Sequence, residues 1–494
     1  MNAFKASPQQ QHFFDWVQHG TGSCVLEAVA GSGKTTTLIK ALELMDGSIF
    51  FGAYNKKIAE EIAAKAPKRA GLLVSTMHAA GFRAWRRAAG QVKVDATKCR
   101  SIFRSMTEQK PLFASLESPV LDLVSYAKQG AAGLAGAIPA NFWHETIDHF
   151  GIDTLDRDDE VIRLAVELLQ QSQALDHQVV DFDDMIYAPL IHRARVFEND
   201  WVLIDEAQDT NAARRALALR MLRRGGRLVA VGDRHQAIYG FTGADADALD
   251  LIGRAVAAQP MPLTVTYRCP KTVVAYAQRW VNHITAHASA PDGRVIEVPV
   301  GADLTKIAAP GDAILCRFNA PLLGLAYQFI SEGIPAQIEG REIGTGLKQL
   351  ARRWRVKSFA VLQDRLSSYA EREVAKFRAK EQESRAAGIE DKVACLNLLI
   401  ARIQKIDPHP LDAVQRLCDE IDAIFGDNIG GATILLSSIH KSKGREWDKV
   451  YWLQSGPSKW ARKDWEKEQE ANLCYVAATR AKSELYLVAM EVPR

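Results

Sequence analysis

The feature that most constrains this chain is a short apolar run, Cys24–Val29, that leads into a loop of small residues, Ala28–Thr35, and then into a helical segment. Small residues let successive backbone N–H groups wrap around phosphate oxygens, and the positive end of the following helix favours an anion. The spacing matches the phosphate-binding G-x-x-x-x-G-K-[ST] loop, with Ala28 at the position of the first glycine. Because such a loop follows a strand and opens a helix, the sequence predicts an α/β fold with a parallel sheet and a nucleotide site.

This loop and a later acidic motif supply candidate ligands for a magnesium nucleotide. Lys34 is expected to reach the β- and γ-phosphates, and Thr35 is expected to coordinate Mg²⁺. After the apolar run Trp201–Ile204, Asp205 is placed to hold the metal ion, and Glu206 is a candidate general base that orients the attacking water. A chance glycine-rich turn and a solvated acidic turn are the alternatives. The residues of the loop that are expected to contact the nucleotide are Ala28, Val29, Ala30, Gly31, Ser32, Gly33, Lys34, Thr35 and Thr36.

Short apolar runs that end in polar motifs recur along the chain and alternate with helical segments. This pattern is typical of buried parallel strands in α/β sheets. The runs of the first half are Cys24–Val29, Ile49–Ala53, Leu72–Ser75, Trp201–Ile204 and Leu228–Val231. The runs assigned to a second sheet are Leu263–Val265, Ala313–Cys316, Thr433–Ser437, Val450–Leu453 and Leu485–Met490.

Two long segments lack the strand pattern and are predicted to be helical inserts, one in each α/β domain. The first domain is expected over 1–78 and 176–255, with its insert at 79–175. The second domain is expected over 256–345 and 429–494, with its insert at 346–428. The sequence therefore predicts two α/β domains with parallel sheets, each interrupted by helices.

Composition excludes several other classes of protein. The chain has 494 residues, of which 47% are hydrophobic and 24% charged, and its net charge of +3 does not by itself diagnose a nucleic-acid binder. The seven cysteines form no C-x-x-C pair, so a zinc or iron–sulfur site is not expected. The N-terminus does not resemble a signal peptide, and no apolar stretch approaches about 18 residues. A cytoplasmic protein with no membrane span is the expectation.

In their order along the chain, the motifs resemble those of the UvrD/Rep-type helicases of superfamily 1, in the 3′→5′ branch. The resemblance extends from Gln10 to Ala481. Besides the phosphate loop and the acidic pair, it depends on the segments Ser7–Gln10, Gly232–Phe241, Thr266–Arg268, Ser438–Trp447 and Tyr475–Ala481. It implies two RecA-like P-loop domains that couple ATP hydrolysis to movement along single-stranded DNA. The implied cofactors are ATP and Mg²⁺, and the implied partners are single-stranded and tailed duplex DNA.

The resemblance also assigns further residues to the ATP site. It implies that Gln10 reads the adenine edge, that Tyr267 packs on the adenine, and that Glu446 contacts the ribose. Three other side chains are expected to act at the γ-phosphate: Gln236, Arg268 and, as the arginine finger, Arg480.

The same resemblance implies a DNA track. The residues expected along it are Asn55, His78, Tyr239, Phe241 and His440. Phe241 is expected to stack on a base, and His440 is expected to contact a phosphate. The alternatives are that Tyr239 and Phe241 are core aromatic residues and that His440 is a structural histidine.

The sequence departs from the family pattern at several points. Thr36 stands where many relatives carry Arg, which implies weaker adenine packing, and Thr242 replaces an Arg after the stacking aromatic. Tyr54 adjoins Asn55, whereas relatives usually place the aromatic two residues earlier. The second insert is shorter than in full-length relatives, and the chain ends 13 residues after Ala481, so a C-terminal extension or nuclease domain is not expected. These departures affect the expected processivity and partner binding.

Basic and aromatic residues alternate at Arg83–Arg87 (RAWRR) and at Arg352–Lys357 (RRWRVK). Each segment is compatible with tracking of DNA phosphates. Each is equally compatible with a solvated helical face whose Trp is anchored in the core.

Three functions are consistent with parts of this pattern. The first is a duplex-unwinding helicase. The second is a translocase or nucleic-acid sensor that does not unwind and that serves with other repair, replication or defence proteins. The third is a small-molecule kinase with a P-loop, which the later motifs disfavour. RNA is also a possible track, because phosphate and stacking contacts tolerate both sugars.

Overall fold

The computed structural model describes residues 4–238, 247–379, 383–408, 410–426, 433–454 and 464–490. The chain divides into two compact units, Met1–Thr264 and Val265–Arg494. Both contain parallel sheets with helices, so the predicted α/β class is confirmed. Of the described helices, none combines the length and the apolar character that a bilayer crossing requires.

The first unit is built on a six-stranded parallel sheet. Its strands and those of a separate short pair are β1 (Cys24–Ala28), β2 (Ile49–Ala53), β3 (Leu72–Thr76), β4 (Lys93–Val94), β5 (Val179–Val180), β6 (Asn199–Ile204), β7 (Leu222–Gly232) and β8 (Gln259–Leu263). The order across the sheet is β3-β2-β6-β7-β1-β8, and β4 pairs with β5 alone. All five strands predicted for the first half therefore belong to one parallel sheet.

Helices cover both faces of this sheet. The helices of the first unit are α1 (Pro8–His19), α2 (Lys34–Ala41), α3 (Lys56–Lys65), α4 (Met77–Ala89), α5 (Lys98–Thr107), α6 (Glu117–Gln129), α7 (Ala140–Phe150), α8 (Asp158–Ala174), α9 (Asp184–Ile191), α10 (Ala212–Arg220) and α11 (Ala248–Ala255). Side chains alternate between faces along a strand, so Phe50 packs into one core and Phe51 into the other. Both phenylalanines are fully buried, which explains why these strands are continuous apolar runs.

Strand β8 corrects the assignment of Leu263–Val265 to the second sheet. The strand Gln259–Leu263 pairs with β1 and forms the edge of the first sheet. Met261 and Leu263 are buried, whereas Pro260 and Pro262 are exposed and have no N–H to donate. Prolines fit an edge strand, because only alternate residues must bond to the neighbour. Residues 256–264 therefore lie in the first unit, and the other domain boundaries remain predictions.

Arg227 on β7 holds the N-terminal helix against the sheet. Its guanidinium lies between two indole rings, 4.1 Å from the ring centroid of Trp16 and 4.3 Å from that of Trp201. It also donates hydrogen bonds to the carbonyl oxygens of Trp16, Val17 and Gly22. A planar cation with several donors can stack and bond at the same time.

The predicted helical insert at 79–175 has a hydrophobic core of its own. Helices α5 to α8 surround buried residues that include Phe103, Leu123 and Leu168. A buried ion cluster (Lys98, Lys128, Asp176, Asp181 and Asp184) ties these helices to the chain that leads into α9. Lys98 Nζ lies 2.6 Å from Asp176 and 2.7 Å from Asp184, and Lys128 Nζ lies 2.7 Å from both Asp181 and Asp184. Pairing of this kind offsets the cost of burying each charge.

The second unit contains a seven-stranded parallel sheet. Its strands and those of a short pair are β9 (Val265–Thr266), β10 (Thr285–Ala286), β11 (Arg294–Val298), β12 (Ala313–Cys316), β13 (Ala336–Glu339), β14 (Phe425–Gly426), β15 (Ile434–Ser438), β16 (Trp447–Gln454) and β17 (Ala481–Ala489). The order is β11-β17-β16-β12-β15-β13-β14, and β9 pairs with β10. Sequence analysis missed β11, β13 and β14, which lie towards the two edges of the sheet.

The helices of the second unit are α12 (Lys271–Ala277), α13 (Asn319–Ser331), α14 (Arg341–Arg352), α15 (Phe359–Ala379), α16 (Glu383–Ile406), α17 (Ala413–Ile424) and α18 (Asp464–Ala478). Helices α14 to α17 occupy most of the predicted insert at 346–428. They share one continuous core with the sheet, in which Leu396 and Leu399 of α16 join Ile338 of β13 and Ile434 of β15. The second insert is thus part of the same core as its sheet.

Candidate functional site

The phosphate loop turns sharply between β1 and α2, as the sequence predicted. Gly31 and Gly33 have φ angles of 70° and 78°, a region that glycine occupies without the Cβ penalty. Gly33 immediately precedes α2, so the N–H groups of the first helical turn, which have no partner within the helix, lie at the loop. This backbone forms the anion-binding concavity that the motif requires.

Four side chains that were predicted to act in catalysis or to bind Mg²⁺ meet at the ends of β1 and β6. Thr35 Oγ1 donates a hydrogen bond to Asp205 Oδ2 at 3.0 Å. Lys34 Nζ forms an ion pair with Glu206 Oε2 at 3.5 Å. Segments that are far apart in sequence therefore bring a cation, two carboxylates and a hydroxyl together in one unit.

The two carboxylates differ in environment. Burial and, after it, the adjacent Glu206 charge raise the pKa of Asp205 to about 6, against the opposing effects of the Lys34 charge and the Thr35 hydroxyl. Glu206 has a φ of 52°, which is uncommon for a residue with a Cβ. Backbone held in such a region is often found at functional sites. The bend turns the chain immediately after β6.

Gln208 connects Glu206 to the neighbouring strand. Its Nε2 donates to Glu206 Oε2 at 2.6 Å, and its Oε1 accepts a hydrogen bond from the backbone N–H of Asp233 at 3.1 Å. Asp233 Oδ2 in turn accepts a hydrogen bond from Gln236 Nε2 at 2.7 Å. Gln236 was predicted to act at the γ-phosphate, but the roles of Gln208 and Asp233 were missed. The sequence indicates them only by position, because Gln208 follows the acidic pair Asp205-Glu206 and Asp233 lies in the segment Gly232–Phe241.

Gly232 makes room for this connection. A Cβ atom at Gly232 would lie 2.4 Å from Gln208 Oε1 and 3.1 Å from the backbone nitrogen of Gln208. Real Cβ atoms do not approach other atoms so closely, so a side chain here would displace Gln208. The glycine at the end of β7 is therefore a packing requirement of the site.

Gln10 lies beside the phosphate loop with its amide engaged. Its Nε2 donates to Thr37 Oγ1 at 2.8 Å, and its Oε1 accepts a hydrogen bond from the backbone N–H of Ser7 at 2.9 Å. Ser7 Oγ accepts from the Gln10 N–H and completes a capping box at the start of α1. Gln10 thus joins α1 to α2, and its contact with adenine remains a prediction.

The predicted DNA contacts of the first unit lie at the same sheet edge. Asn55 caps α3, where its Oδ1 accepts a hydrogen bond from the Ile58 N–H at 2.9 Å. His78 lies in the first turn of α4, after β3. Burial and, to a smaller extent, the Arg214 charge lower the pKa of His78 to about 4. Tyr239 and Phe241 lie outside the described residues.

A small pocket lies between these residues and the acidic pair. Among its lining residues are Tyr54, His78, Glu206, Asp209 and Arg214. The candidate catalytic base Glu206 and the candidate DNA contact His78 therefore line the same pocket in the first unit. Arg214, on α10, was not identified from the sequence.

The second unit brings together another set of predicted ATP-site residues. Arg268 forms an ion pair with Glu446. The ring of Tyr267 lies 4.9 Å from that of His287, measured between centroids. The ribose contact of Glu446 and the adenine contact of Tyr267 remain predictions.

The side chain of Arg480 is bonded to backbone carbonyls of its own unit. Its Nη1 donates to the Arg445 carbonyl oxygen at 3.0 Å, and its Nε donates to that of Val476 at 3.1 Å. The first of these bonds places Arg480 beside the residue that precedes Glu446. The expected role as an arginine finger remains a prediction.

His440, the predicted phosphate contact of the second unit, is half-buried. Burial lowers its pKa well below the usual range, and the charges of Arg317 and Lys443 lower it further. The imidazole is therefore neutral at neutral pH, so any contact with a phosphate would be a hydrogen bond. This environment is also that of a structural histidine, so both readings of His440 stay open.

The two basic-aromatic segments are anchored by their tryptophans. Trp85 is buried and donates from Nε1 to the Asp176 carbonyl oxygen at 2.8 Å, while Arg83, Arg86 and Arg87 are exposed. Trp354 packs against the core of the second unit. The tryptophan anchor is thus present in both segments, and DNA binding by the arginines remains a prediction.

The residues of the phosphate loop fit a magnesium nucleotide. Ser32 Oγ is buried and has no hydrogen-bond partner among the described residues, as expected of a donor that faces a phosphate. Thr35 and Asp205 offer the hard oxygen ligands that Mg²⁺ prefers. Among the described residues there is no cluster of three or more His, Cys, Asp or Glu side chains that could hold a metal ion. A Mg²⁺ ion held by two side chains and by phosphates is consistent with that.

Comparison with protein families gives two matches that together span most of the chain. Residues 8–256 match the UvrD/REP helicase N-terminal domain. Residues 347–492 match the UvrD-like helicase C-terminal domain. The first match alone covers half of the chain.

Individual relatives of the chain are DNA helicases. F-box DNA helicase protein 1 of Schizosaccharomyces pombe is 27% identical over 94% of this chain and 55% of its own length. The ATP-dependent DNA helicase Rep of Salmonella typhimurium is 27% identical over 53% of this chain and 41% of its own length. PcrA of Leuconostoc citreum is 26% identical over 54% of this chain and 38% of its own length. The chain thus spans about half or less of the length of these relatives.

Proposed function

Because the chain belongs to the UvrD/Rep family of helicases, we propose that it uses ATP hydrolysis to move 3′→5′ along single-stranded DNA and to unwind duplexes. The observation that carries the proposal is the meeting of Lys34 and Thr35 with Asp205 and Glu206 at one sheet edge. The relatives named Rep and PcrA are ATP-dependent DNA helicases. The 3′→5′ direction rests on the family motif Ser438–Trp447.

ATP is proposed to bind with its phosphates in the loop Ala28–Thr35. Backbone N–H groups of the loop and the start of α2 hold the β-phosphate, and Lys34 adds charge at the γ-phosphate. The unpartnered Ser32 hydroxyl supports a polar ligand at this point. Gln10, Tyr267 and Glu446 are proposed to contact the adenosine part, along with Thr36 behind the loop.

Mg²⁺ would be held by Thr35 and Asp205, which are already joined by a hydrogen bond. When bound, the ion neutralises charge that develops on the phosphates. Asp205 must lose any proton to act as a ligand, and the charge of Lys34 favours its ionised form. The acidic residue is therefore kept close to a cation even before the nucleotide binds.

Hydrolysis needs a water molecule that is directed at the γ-phosphorus. Glu206 is proposed to orient that water and to accept its proton. Gln208 Nε2 donates a hydrogen bond of 2.6 Å to Glu206 Oε2, and Lys34 forms an ion pair with the same oxygen. These two contacts together position the proposed base. Through Asp233, the same hydrogen bonds reach Gln236, which is proposed to sense the γ-phosphate. Arg268 and Arg480 are proposed to stabilise the transition-state charge.

Single-stranded DNA is proposed to follow the edge of the sheet where β2 and β3 end. Asn55 and His78 lie at this edge, and Tyr239 and Phe241 belong to the segment after β7. His440 is the proposed contact in the second unit. The pocket that contains both His78 and Glu206 supports communication between DNA and the catalytic base. Proteins of repair, replication or defence complexes are the proposed further partners.

The first experiment measures ATP turnover with and without single-stranded DNA. We expect stimulation by DNA, and we expect Lys34→Ala to abolish turnover while leaving the melting temperature unchanged, because Lys34 supplies charge rather than packing. Near-normal turnover in a folded Lys34→Ala protein would contradict the assignment of the ATP site.

The second experiment measures strand displacement on duplexes with 3′ or 5′ single-stranded tails. Unwinding of 3′-tailed substrates is expected. Preference for 5′ tails would refute the proposed direction. DNA-stimulated turnover without displacement on either substrate would show a translocase that does not unwind.

A further inference from the structure

Helix α4 presents three arginines to solvent on one face. Phe82, Arg83, Arg86 and Arg87, called here the basic face of α4, follow the i, i+3, i+4 spacing that places side chains on one side of a helix. They line a shallow groove together with Ala79, Gly90 and Gln91. No carboxylate is among the described residues that line it. The helix therefore carries a concentrated positive charge beside a half-buried aromatic ring.

The arginines on the surface of the first unit differ in whether a carboxylate pairs with them. Arg100, Arg104, Arg157, Arg223, Arg234 and Arg254 each form an ion pair with a carboxylate. Within the part of the chain that the structure describes, no ion pair involves the three arginines of α4. Their charge is left available to an external anion.

The opposite face of α4 is fixed against the rest of the unit. Trp85 is buried and bonded to the Asp176 carbonyl oxygen. A Cβ at Gly81 would lie 2.3 Å from the Met185 carbonyl oxygen, so α4 and α9 are in close backbone contact there. A helix held in this way cannot roll its arginines inward. The basic face therefore belongs to a helix whose orientation is fixed by its buried side.

The basic face continues directly from the proposed DNA contact. His78 lies in the first turn of α4, at the carboxyl end of β3, and Arg87 lies nine residues further along. At 1.5 Å per residue the helix carries the positive charge about 14 Å away from the sheet edge. That length corresponds to at most about four nucleotides, the number reached at the duplex spacing of 3.4 Å each.

We propose that the basic face of α4 binds the sugar–phosphate backbone of single-stranded nucleic acid and extends the strand's path beyond His78 along the helix. The inference deepens the proposed function and rests on it. Guanidinium groups match phosphate oxygens in geometry and charge, and an adjacent aromatic ring suits unstacked bases more than a stacked duplex. An acidic protein segment would match the charge but not the continuity with His78.

The test uses the full chain and its Arg83→Gln/Arg86→Gln/Arg87→Gln variant. A matched control, Lys68→Gln/Arg163→Gln/Arg224→Gln, removes the same charge from exposed residues that lie off α4. Affinity for oligothymidylates of increasing length and for a blunt duplex is measured by fluorescence anisotropy at several salt concentrations. Melting curves check that each variant is folded.

For long oligothymidylates, we expect the α4 variant to reduce the slope of log affinity against log salt by about two, because each lost phosphate contact removes roughly 0.7. The length at which affinity stops rising should shorten by at most about four nucleotides. The control variant should match the wild type. Replacing the same three arginines with lysine should restore the slope, and each single Arg→Gln variant should lower it by about 0.7.

An α4 variant that binds long oligothymidylates with the wild-type slope and length would overturn the inference and leave the proposed function intact. Loss of duplex binding alone would also overturn it, because the surface would then serve duplex DNA. Failure of the wild type to bind any nucleic acid would overturn the proposed function itself and the inference with it.

Discussion

Gln208 donates a hydrogen bond of 2.6 Å to the carboxylate of Glu206 while its own oxygen accepts the backbone N–H of Asp233 at 3.1 Å. One amide therefore positions the candidate base relative to the next strand of the sheet. It also links the residue proposed to activate water with the segment proposed to sense the γ-phosphate.

Gln208→Ala should lower the turnover number for ATP by about tenfold to a hundredfold, because a base displaced by even 1 Å loses much of its effect. The KM for ATP should change little, since the phosphate loop is intact. Steady-state ATPase assays check this, with Gln171→Ala on the exposed surface of α8 as the control. A variant that keeps full turnover would mean that Glu206 needs no positioning by Gln208.

Gly232→Ala should produce the same defect by a different route. The new Cβ would displace Gln208, and we expect a loss of about 1–3 kcal/mol in unfolding free energy from overpacking. The double variant Gly232→Ala/Gln208→Ala should lose less activity than the two single effects combined, because both act on one contact.

Gly253→Ala on α11 is the matched control for Gly232→Ala, since its nearest neighbour would be the Val25 Cγ2 atom at 3.4 Å, an ordinary contact. It should leave turnover unchanged. Equal effects of the two substitutions on turnover would contradict the assigned role of Gly232.

His78 should make stability depend on pH in a defined direction. Its pKa is about 4 in the folded protein, against about 6.5 for a free imidazole. Between these values the unfolded chain binds more protons, so the contribution of His78 is fully present above about pH 6.5 and is lost as pH falls towards 4. His78→Gln should flatten this dependence. Melting temperatures of both proteins from pH 4.5 to 7.5 check it, and parallel curves would refute the assignment.

Arg227→Lys should reduce the free energy of unfolding by about 1–3 kcal/mol, because an ammonium cannot stack between two indoles and also reach three carbonyl oxygens. Urea unfolding monitored by tryptophan fluorescence measures the change. Arg224→Lys, an exposed neighbour on the same strand, should be neutral. Unchanged stability of Arg227→Lys would show that charge alone holds α1 in place.

Arg480→Ala should cut ATP turnover by as much as ~10³-fold, on the scale of arginine fingers in other phosphoryl-transfer enzymes. Binding of a non-hydrolysable ATP analogue should change far less. Because Arg480 also bonds two backbone carbonyls, a melting curve must show that the variant is folded. If the variant no longer binds the analogue but turns over each bound ATP at the wild-type rate, then Arg480 contacts ATP in the ground state and does not act in the transition state.

Sequence alone was sufficient for the central strands and for the phosphate loop. Ile49–Ala53 and Ala313–Cys316 were predicted with the bounds that the structure has, because buried parallel strands are continuous apolar runs. The edge strand β8 was misassigned, since alternating prolines and apolar residues do not form such a run. Strand β14 has two residues and carries no periodicity at all.

At the site, sequence analysis identified the residues that belong to motifs but not the contacts that join them. Lys34, Thr35, Asp205 and Glu206 follow from strand ends and local spacing. The link from Gln208 to Asp233 depends on β6 and β7 being neighbours, which a pattern of apolar runs does not specify. The burial that shifts the pKa of His78 is likewise a property of packing around α4.

The two helical inserts differ in how far each could be exchanged as a module. The first has a separate core and is joined through the ion cluster to the chain that leads into α9, so its sequence can diverge without changing the sheet. In the second unit, Leu396 and Leu399 share a core with the strands β13 and β15. Deletion of residues 346–428 would remove strand β14 and expose part of that core to water. Any chimaera with a longer relative should therefore exchange the second insert and its sheet together.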